Sequence, residues 1–530
     1  MNQRMVTESR AKAFVSLAQK CKTLNQFKQI HAHLLKTYLF ENSLAIGPLL
    51  SICATSKISS FFSYAQLIFN QCSERNTFMY NSMIRGYMQS NLPKLSVLCY
   101  LDMINIGLEA NNYTFTPLIK ACTILGPSSK ITGRFIHAHV VKFGYNYDPF
   151  VVSSLIEFYS LVNEMETARA LFDKSVERDV VMWTAMIDGY GKMGDVQNAR
   201  ALFDKMPEKN AISWSAIMAA YSRISDFKEV LSLFRQMQET GVKPNESGLV
   251  SVLTACAHLG AFTQGLWVHS YARRNNLDKN MILATALVDM YSKCGHLESA
   301  LSVFEGISGK DAGAWNAMIS GIAMNGDARK SLELFDRMVI SGTQPTETTI
   351  VSILTTCTHA KMVNKGLKLF EEMSSVYGVE PQLEHYACVV DLLARAGMVE
   401  EAENFIEQKM GGLRGDVNVW GALLAACRIY GKVEVGNRVW KELAEMGIAD
   451  CGTSVLLYNM YKEAGCDMEA NKVRKLISEA GMKKKPGCSV IEVDGVVEEF
   501  LAGDTCHLQT SEIYRTVDSF SKMSNFEEIL

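Results

Sequence analysis

The sequence offers three sets of side chains whose types could do chemistry. The first is His296-Leu297-Glu298, the single H-x-E triplet in the chain. A zinc-dependent nucleobase deaminase needs such a pair, His as ligand and Glu as proton shuttle, together with two cysteine ligands spaced C-x-x-C. No C-x-x-C occurs, and of the 14 cysteines the two nearest in sequence, Cys451 and Cys466, are 15 positions apart. His296 therefore reads as the start of a helix. The second set is the histidine pairs His31/His33 and His137/His139. Residues two apart on a helix point to different faces, so one metal ion cannot easily take both. The third set is Cys122, Cys256, Cys357 and Cys427, each preceded by Ala or Thr. A thiol in such a place packs as a small apolar group between helices. With no Ser/His/Asp or Cys/His constellation and no GxxxxGK[ST] phosphate loop, the residues predict a protein that is not an enzyme and holds neither cofactor nor metal.

Those side chains must be carried by a chain of 530 residues with 48% hydrophobic and 21% charged residues, enough to bury a large core. No apolar run approaches the roughly 18 residues of a membrane span, and the first twenty residues lack the apolar block of a secretory signal. A formal charge of -3 argues against a generic nucleic-acid binder, so any basic surface must be local. Arg4, Arg10, Lys12 and Lys20 against Glu8 give a basic start, compatible with an organellar transit segment. Only 10 prolines and few alternating apolar/polar segments favour helices nearly throughout.

Counting shows a repeat. Phenylalanine recurs at Phe172, Phe203, Phe234, Phe304, Phe335 and Phe370, in steps of 31, 31, 70, 31 and 35 residues, the 70 being two units. Tyr80, Trp183, Trp214, Trp315 and Tyr386 keep one register in the blocks MYNSMIRGY, MWTAMIDGY, SWSAIMAAY, AWNAMISGI and HYACVVDLL, each an amphipathic helix. Eleven places beyond the aromatic register stand Asn91, Gly126, Asn163, Gly194, Ser225, Gly260, Gly295, Gly326 and Gly397, residues able to leave a helix through the left-handed region. A second helical block follows, with Ala168, Ala199, Ala300 and Ala402 where two helices must approach closely. The units run 43–76, 77–111, 112–148, 149–179, 180–210, 211–245, 246–280, 281–311, 312–346, 347–382 and 383–416. One helical hairpin cannot cover its own apolar face, so neighbours stack into an all-α, right-handed superhelical solenoid with a continuous core.

The phrases YNSMIRGYMQSN, WTAMIDGYGKMGDVQNARALFDKMPEKN, ALVDMYSKCGHLESALSVF and GVKPN resemble pentatricopeptide repeats. The alternating unit lengths are similar to the plant PLS subclass, with L-type units in FTPLIKACTILG and VLTACAHLG and S-type units in VVSSLIEFYS and ATALVDMYSKCG. The resemblance implies a short basic N-terminus with a partial first repeat over 1–42 and eleven repeats over 43–416. VWGALLAACRIYGKVEVGNRVWKEL and LLYNMYKEAGCDMEANKVRKLISEAGMKKKPGCSVIEVDGVVEEFLAGD resemble the C-terminal motifs of that subclass, an E extension over 417–485 and an E+ extension over 486–530. Many relatives continue into a DYW-type deaminase, which the sequence lacks up to Leu530.

In that family each repeat can read one RNA base with two or three side chains. The resemblance implies reading by the fifth residue of a unit and the last: Asn81 with Asn111, Thr116 with Asp148, Ser153 with Asp179, Thr184 with Asn210, Ser215 with Asn245, Thr285 with Asp311, and Asn316 with Thr346. The second residues, Phe78, Tyr113, Phe150, Val181, Ile212 and Ile282, would stack on bases. Taken singly, a short polar residue near a helix start is as readily a cap; seven pairs in register favour reading. Val250/Asn280, Val351/Gln382 and Ala387/Asp416 fit no defined combination. The family's pairing preferences imply a target 5′-Y-N-G-A-A-N-G-Y, from the base opposite 77–111 to that opposite 312–346. The implied function is a sequence-specific factor for organellar C-to-U RNA editing that binds single-stranded RNA and works with a separate DYW-type deaminase and accessory editing proteins. The alternative is a non-editing organellar RNA factor for transcript stabilisation, splicing or translation. Mitochondrion is the expected compartment, because plant mitochondria carry more editing sites than plastids; chloroplast is the alternative.

Overall fold

A computed structural model describes residues 13–21, 23–37, 43–56, 58–410, 417–447, 450–479, 488–493, 496–501, 505 and 509–527. Arg4, Arg10, Lys12 and Asp416 lie outside the described residues. Helices follow one another in hairpins along the chain. The first helices are Thr77–Gln89, Asn112–Leu125, Pro149–Leu161, Val180–Lys192, Ala211–Arg223, Glu246–Leu259, Met281–Lys293, Ala312–Met324, Glu347–His359 and Leu383–Arg395. Each is followed by a second, as Val196–Lys205 follows Val180–Lys192 and Leu297–Gly306 follows Met281–Lys293.

The turn between the two helices has one chemistry. All nine stop residues take positive φ, from 57° at Asn91 to 85° at Gly397. Lys361 occupies the same place in 347–382 with φ 55°, where the sequence offers no Gly or Asn. A lysine in that region accepts a steric cost that glycine avoids.

The chain forms two compact units, residues 1–226 with 233–248, and residues 227–232 with 249–530. In the first, helices Thr77–Gln89 through Ala211–Arg223 lie side by side in chain order; in the second, Met281–Lys293 through Cys451–Glu463 do the same. Each unit is thus a stretch of helix-turn-helix solenoid. Phe172, Phe203 and Phe304, from second helices, meet the next first helix edge-on at Trp183, Trp214 and Trp315, with ring centroids 4.8, 4.7 and 5.0 Å apart. Such pairs contribute about 0.5–1.5 kcal/mol beyond the area they bury. Arg178, Lys209 and Lys310 cover the outer faces of these phenylalanines and donate to carbonyls at the ends of the second helices. Ala168, Ala199, Ala300 and Ala402 are fully buried at the helix crossings.

Beyond 416, the hairpins Val417–Ile429 with Val433–Glu445 and Cys451–Glu463 with Asp467–Glu479 continue the same design, with positive φ again at Gly431 and Gly465. Then the chain departs from helix. Strands β1 (Cys488–Val493) and β2 (Val496–Leu501) pair antiparallel, Val493 opposite Val496 and Cys488 opposite Leu501. Two runs rich in β-branched residues separated by Asp-Gly are a hairpin signature that overrides the helical trend. A helix, Thr510–Glu527, follows. Glu492 of β1 accepts the Thr263 N–H at 3.0 Å, at the start of helix Phe262–Arg274, and Glu499 of β2 pairs with Lys228.

Candidate nucleic-acid interface

The six second-position side chains point away from the core. Phe78, Tyr113, Phe150, Val181, Ile212 and Ile282 are between 51% and 70% exposed, each at the opening of a first helix. Burying such side chains would stabilise the fold by about 1.5–3 kcal/mol each. An apolar row held in water at one position of successive repeats gives up that gain, and its flat or branched faces suit stacking on planar groups.

The last residue of a unit is the N-cap of the next first helix. Asn111, Asp148, Asp179, Asn210, Asn245, Asp311 and Thr346 each accept from backbone N–H groups one turn into that helix, at Thr114, Val151, Met182, Ser213, Gly248, Ala314 and Thr349. The cap reading of these residues is therefore correct, and it carries a chemical consequence. Capping commits one oxygen. The remaining group is an NH2 in Asn, a donor, and a second carboxylate oxygen in Asp, an acceptor. Asn at this place is thus not free both to give and to take.

Four fifth-position residues reach their partners directly. Asn81 Nδ2 donates to Asn111 Oδ1 at 3.0 Å, Ser153 Oγ to Asp179 at 3.4 Å, Ser215 Oγ to Asn245 Oδ1 at 2.5 Å, and Asn316 Nδ2 to Thr346 Oγ1 at 3.0 Å. Thr184 instead donates to the Val180 carbonyl at 2.7 Å, and Asp148 Oδ2 accepts from Asn112 rather than from Thr116. No direct bond joins Thr285 to Asp311 among the described residues. Between Phe78 and Tyr113 lies a cavity of about 440 Å³ lined by Asn81, Asn111, Ser51, Ser82 and Arg85. Arg85 places a positive charge at this cavity; it makes no ion pair among the described residues, and a lone arginine carried no signal in the sequence.

The side chains that resembled chemistry are occupied elsewhere. His31, His137 and His269 each place Nδ1 against a tyrosine hydroxyl of the next hairpin, Tyr64, Tyr159 and Tyr291, at 2.7–2.8 Å. His139 turns the other way, to Tyr100 at 2.7 Å, so His137 and His139 do not converge. Burial lowers the pKa of all four. Cys122, Cys256, Cys357 and Cys427 are fully buried; burial pushes the thiols of Cys122 and Cys427 up to about 12 and raises the other two. His296 stands just before helix Leu297–Gly306 with its ring stacked 3.6 Å from that of Phe262. Among the described residues no group of three or more His, Cys, Asp or Glu could hold a metal ion, and no helix is long and apolar enough to cross a membrane.

Stacked hairpins with an exposed apolar row and a capped polar row define an α-solenoid built of helix-turn-helix repeats. Family models then place it. Those for the PPR repeat match residues 181–210, 212–242 and 283–310, that for the PPR repeat family 75–123, that for the pentacotripeptide-repeat region of PRORP 314–443, and that for the E motif 430–492. The Arabidopsis thaliana pentatricopeptide repeat-containing protein At5g66520 is 45% identical over 499 residues, covering 94% of this chain and 80% of that one. The chloroplastic Arabidopsis thaliana proteins At5g59200 and At2g42920 are 42% and 43% identical over 98% and 94% of this chain, covering 94% and 89% of their own. The chain belongs to the pentatricopeptide repeat family, and its E motif marks the PLS subclass. The maize protein PPR10, solved in complex with an 18-nt psaJ RNA element, shares the fold with a TM-score of 0.50 at 17% identity, over 89% of this chain and 70% of that one. The relatives' names correct the mitochondrial expectation in favour of the chloroplast. That expectation came from the number of editing sites per organelle, and the basic start does not distinguish the two.

Proposed function

We propose that this protein binds single-stranded RNA in a sequence-specific way, one base per repeat, within the chloroplast. The observation that carries the reading is the cavity where two exposed aromatic rings, Phe78 and Tyr113, bracket the Asn81–Asn111 pair and Arg85: stacking faces, hydrogen-bonding groups and a cation in one place. The RNA-bound relative supports it, PPR10 having been solved with an 18-nt element. Binding of an RNA element, as in PPR10, is all that a role in stabilising, splicing or translating a transcript requires, and we take that non-editing reading first. The E motif over 430–492 supports the second reading, editing with a deaminase supplied by another protein.

Binding to a labelled single-stranded RNA tests the common core. Affinity should fall about tenfold between 50 and 200 mM salt at unchanged circular dichroism, because released counterions drive phosphate binding. Salt-independent binding, or none, would leave a protein-binding scaffold. Sequencing organellar RNA from plants lacking the protein separates the two roles: a lost C-to-U change indicates editing, a lost transcript end or unspliced intron the other.

A further inference from the structure

From 77 to 416, four first helices carry Lys or Arg as their thirteenth residue: Lys192, Arg223, Lys293 and Arg395. Every one of the four is held by an aspartate at a ninth position. Lys192 Nζ lies 2.7 Å from Asp188, Lys293 Nζ 2.9 Å from Asp289 and Arg395 Nε 2.9 Å from Asp391, each within its own helix. Arg223 reaches across from the next first helix to the same Asp188 at 3.4 Å. An acid one turn before a base is the favourable order on a helix, yet a pair this open to water adds little stability. Their place in the repeat says more. Fifth, ninth and thirteenth residues lie about one turn apart on one face. Phe78, Asn81 and Arg85 line the cavity described above, and Ala387, Asp391 and Arg395 line another of about 670 Å³ with Asn418 and Ile429 of the following first helix. The paired cations therefore stand on the face that carries the fifth residues. Arg85 and Lys120, exposed residues at ninth positions, make no ion pair among the described residues. That face thus holds free cations over 77–148 and neutralised ones from 180 onward.

We infer that Asp188, Asp289 and Asp391 restrain unselective attachment of RNA. A strand of the wrong sequence is held by its phosphates alone. A cation already paired must exchange a carboxylate for a phosphate, which gains little, whereas a free cation gains the whole contact. Unselected RNA is then held chiefly at Arg85 and Lys120, weakly enough to leave. The inference rests on the RNA-binding reading and concerns the strands that the protein does not select.

Binding of the full-length chain to a single-stranded RNA pool of randomised sequence tests it. At unchanged circular dichroism, Asp188→Asn, Asp289→Asn and Asp391→Asn combined should raise affinity at least about tenfold at 50 mM salt. The loss between 50 and 200 mM should deepen from about tenfold to more than about a hundredfold, because four freed cations each add a phosphate contact. Arg85→Ala with Lys120→Ala should instead leave that loss below about threefold. Asp173→Asn with Asp204→Asn removes the same kind of charge from pairs on second helices, Arg169–Asp173 and Arg200–Asp204, and should change affinity by less than about twofold. Asparagine variants of the first helices that bind the pool as the wild type does overturn the inference. Variants that bind it more weakly do so as well, since the aspartates would then hold the cations in place for RNA. An equal gain from the second-helix variant overturns it too, because net charge alone would then account for the effect. If neither the wild type nor any variant binds RNA, the RNA-binding reading falls instead.

Discussion

At Asn210 the cap decides what is left for a ligand. Its Oδ1 accepts from both Ile212 N–H and Ser213 N–H at 3.0 Å, so the outward group is the NH2. Replacing it with Asp keeps the capping oxygen and turns the outward group from donor to acceptor. The favoured partner should move from adenine, which offers a lone pair at N1, to guanine, which offers N1–H. We expect Asn210→Asp to shift the adenine/guanine preference by about 1 kcal/mol at that one place, with little loss of stability. Titration against four RNAs differing only at that base checks it, and equal weakening on all four would show that the residue is a cap alone. The cap itself was readable from residue type, since Asn, Asp and Thr precede apolar helices throughout. Which oxygen the cap consumes was not, because that depends on a hydrogen bond and not on spacing.

At the scale of helices, close approach is bought with glycine. A Cβ built at Gly133 would lie 2.0 Å from Phe158 Cζ, and Gly265, Gly366 and Gly436 meet Met290, Leu392 and Met460 in the same way. Gly133→Ala should destabilise the chain by about 1–3 kcal/mol through overpacking, read as a lowered midpoint in urea. The His–Tyr contacts give the hairpins a pH response. Burial lowers the pKa of His31, His137, His139 and His269, so the folded state binds fewer protons than the unfolded one and stability rises with pH. The stabilisation is complete above the unfolded value near ~6.5 and is lost as pH falls below it. Thermal midpoints at pH 7.5 and 5.5 should show the drop, and His137→Gln should make it shallower. Periodicity and the Asn/Gly stops made the hairpins legible in advance. Lys361 escaped because nothing in its side chain announces positive φ, and β1 and β2 escaped because the helical repeat masked VIEVDGVVEEF, whose alternation and Asp-Gly pair were visible. The glycine approaches need the partner helix, 24 to 26 residues on, to be seen at all.

Across the whole molecule, stability in a solenoid is a sum over neighbours, and contacts between distant residues are foreign to it. The C-terminal hairpin makes such contacts, among them Glu492 to Thr263 and Glu499 to Lys228, separated by 229 and 271 positions in the chain. Removing the first by Glu492→Ala takes an acceptor from the start of helix Phe262–Arg274 and should cost about 0.5–2 kcal/mol, seen as faster amide hydrogen exchange over residues 262–266. The same two contacts have a mechanical meaning. A chain drawn out by its ends transmits tension along its backbone only as far as the first cross-connection, and the segment enclosed between Thr263 and Glu492 then carries no load. The repeats inside that segment should resist pulling until the latch opens and yield in a burst afterwards. With Glu492→Ala and Lys228→Ala combined, they should yield singly and at lower force, as beads leave an unknotted string.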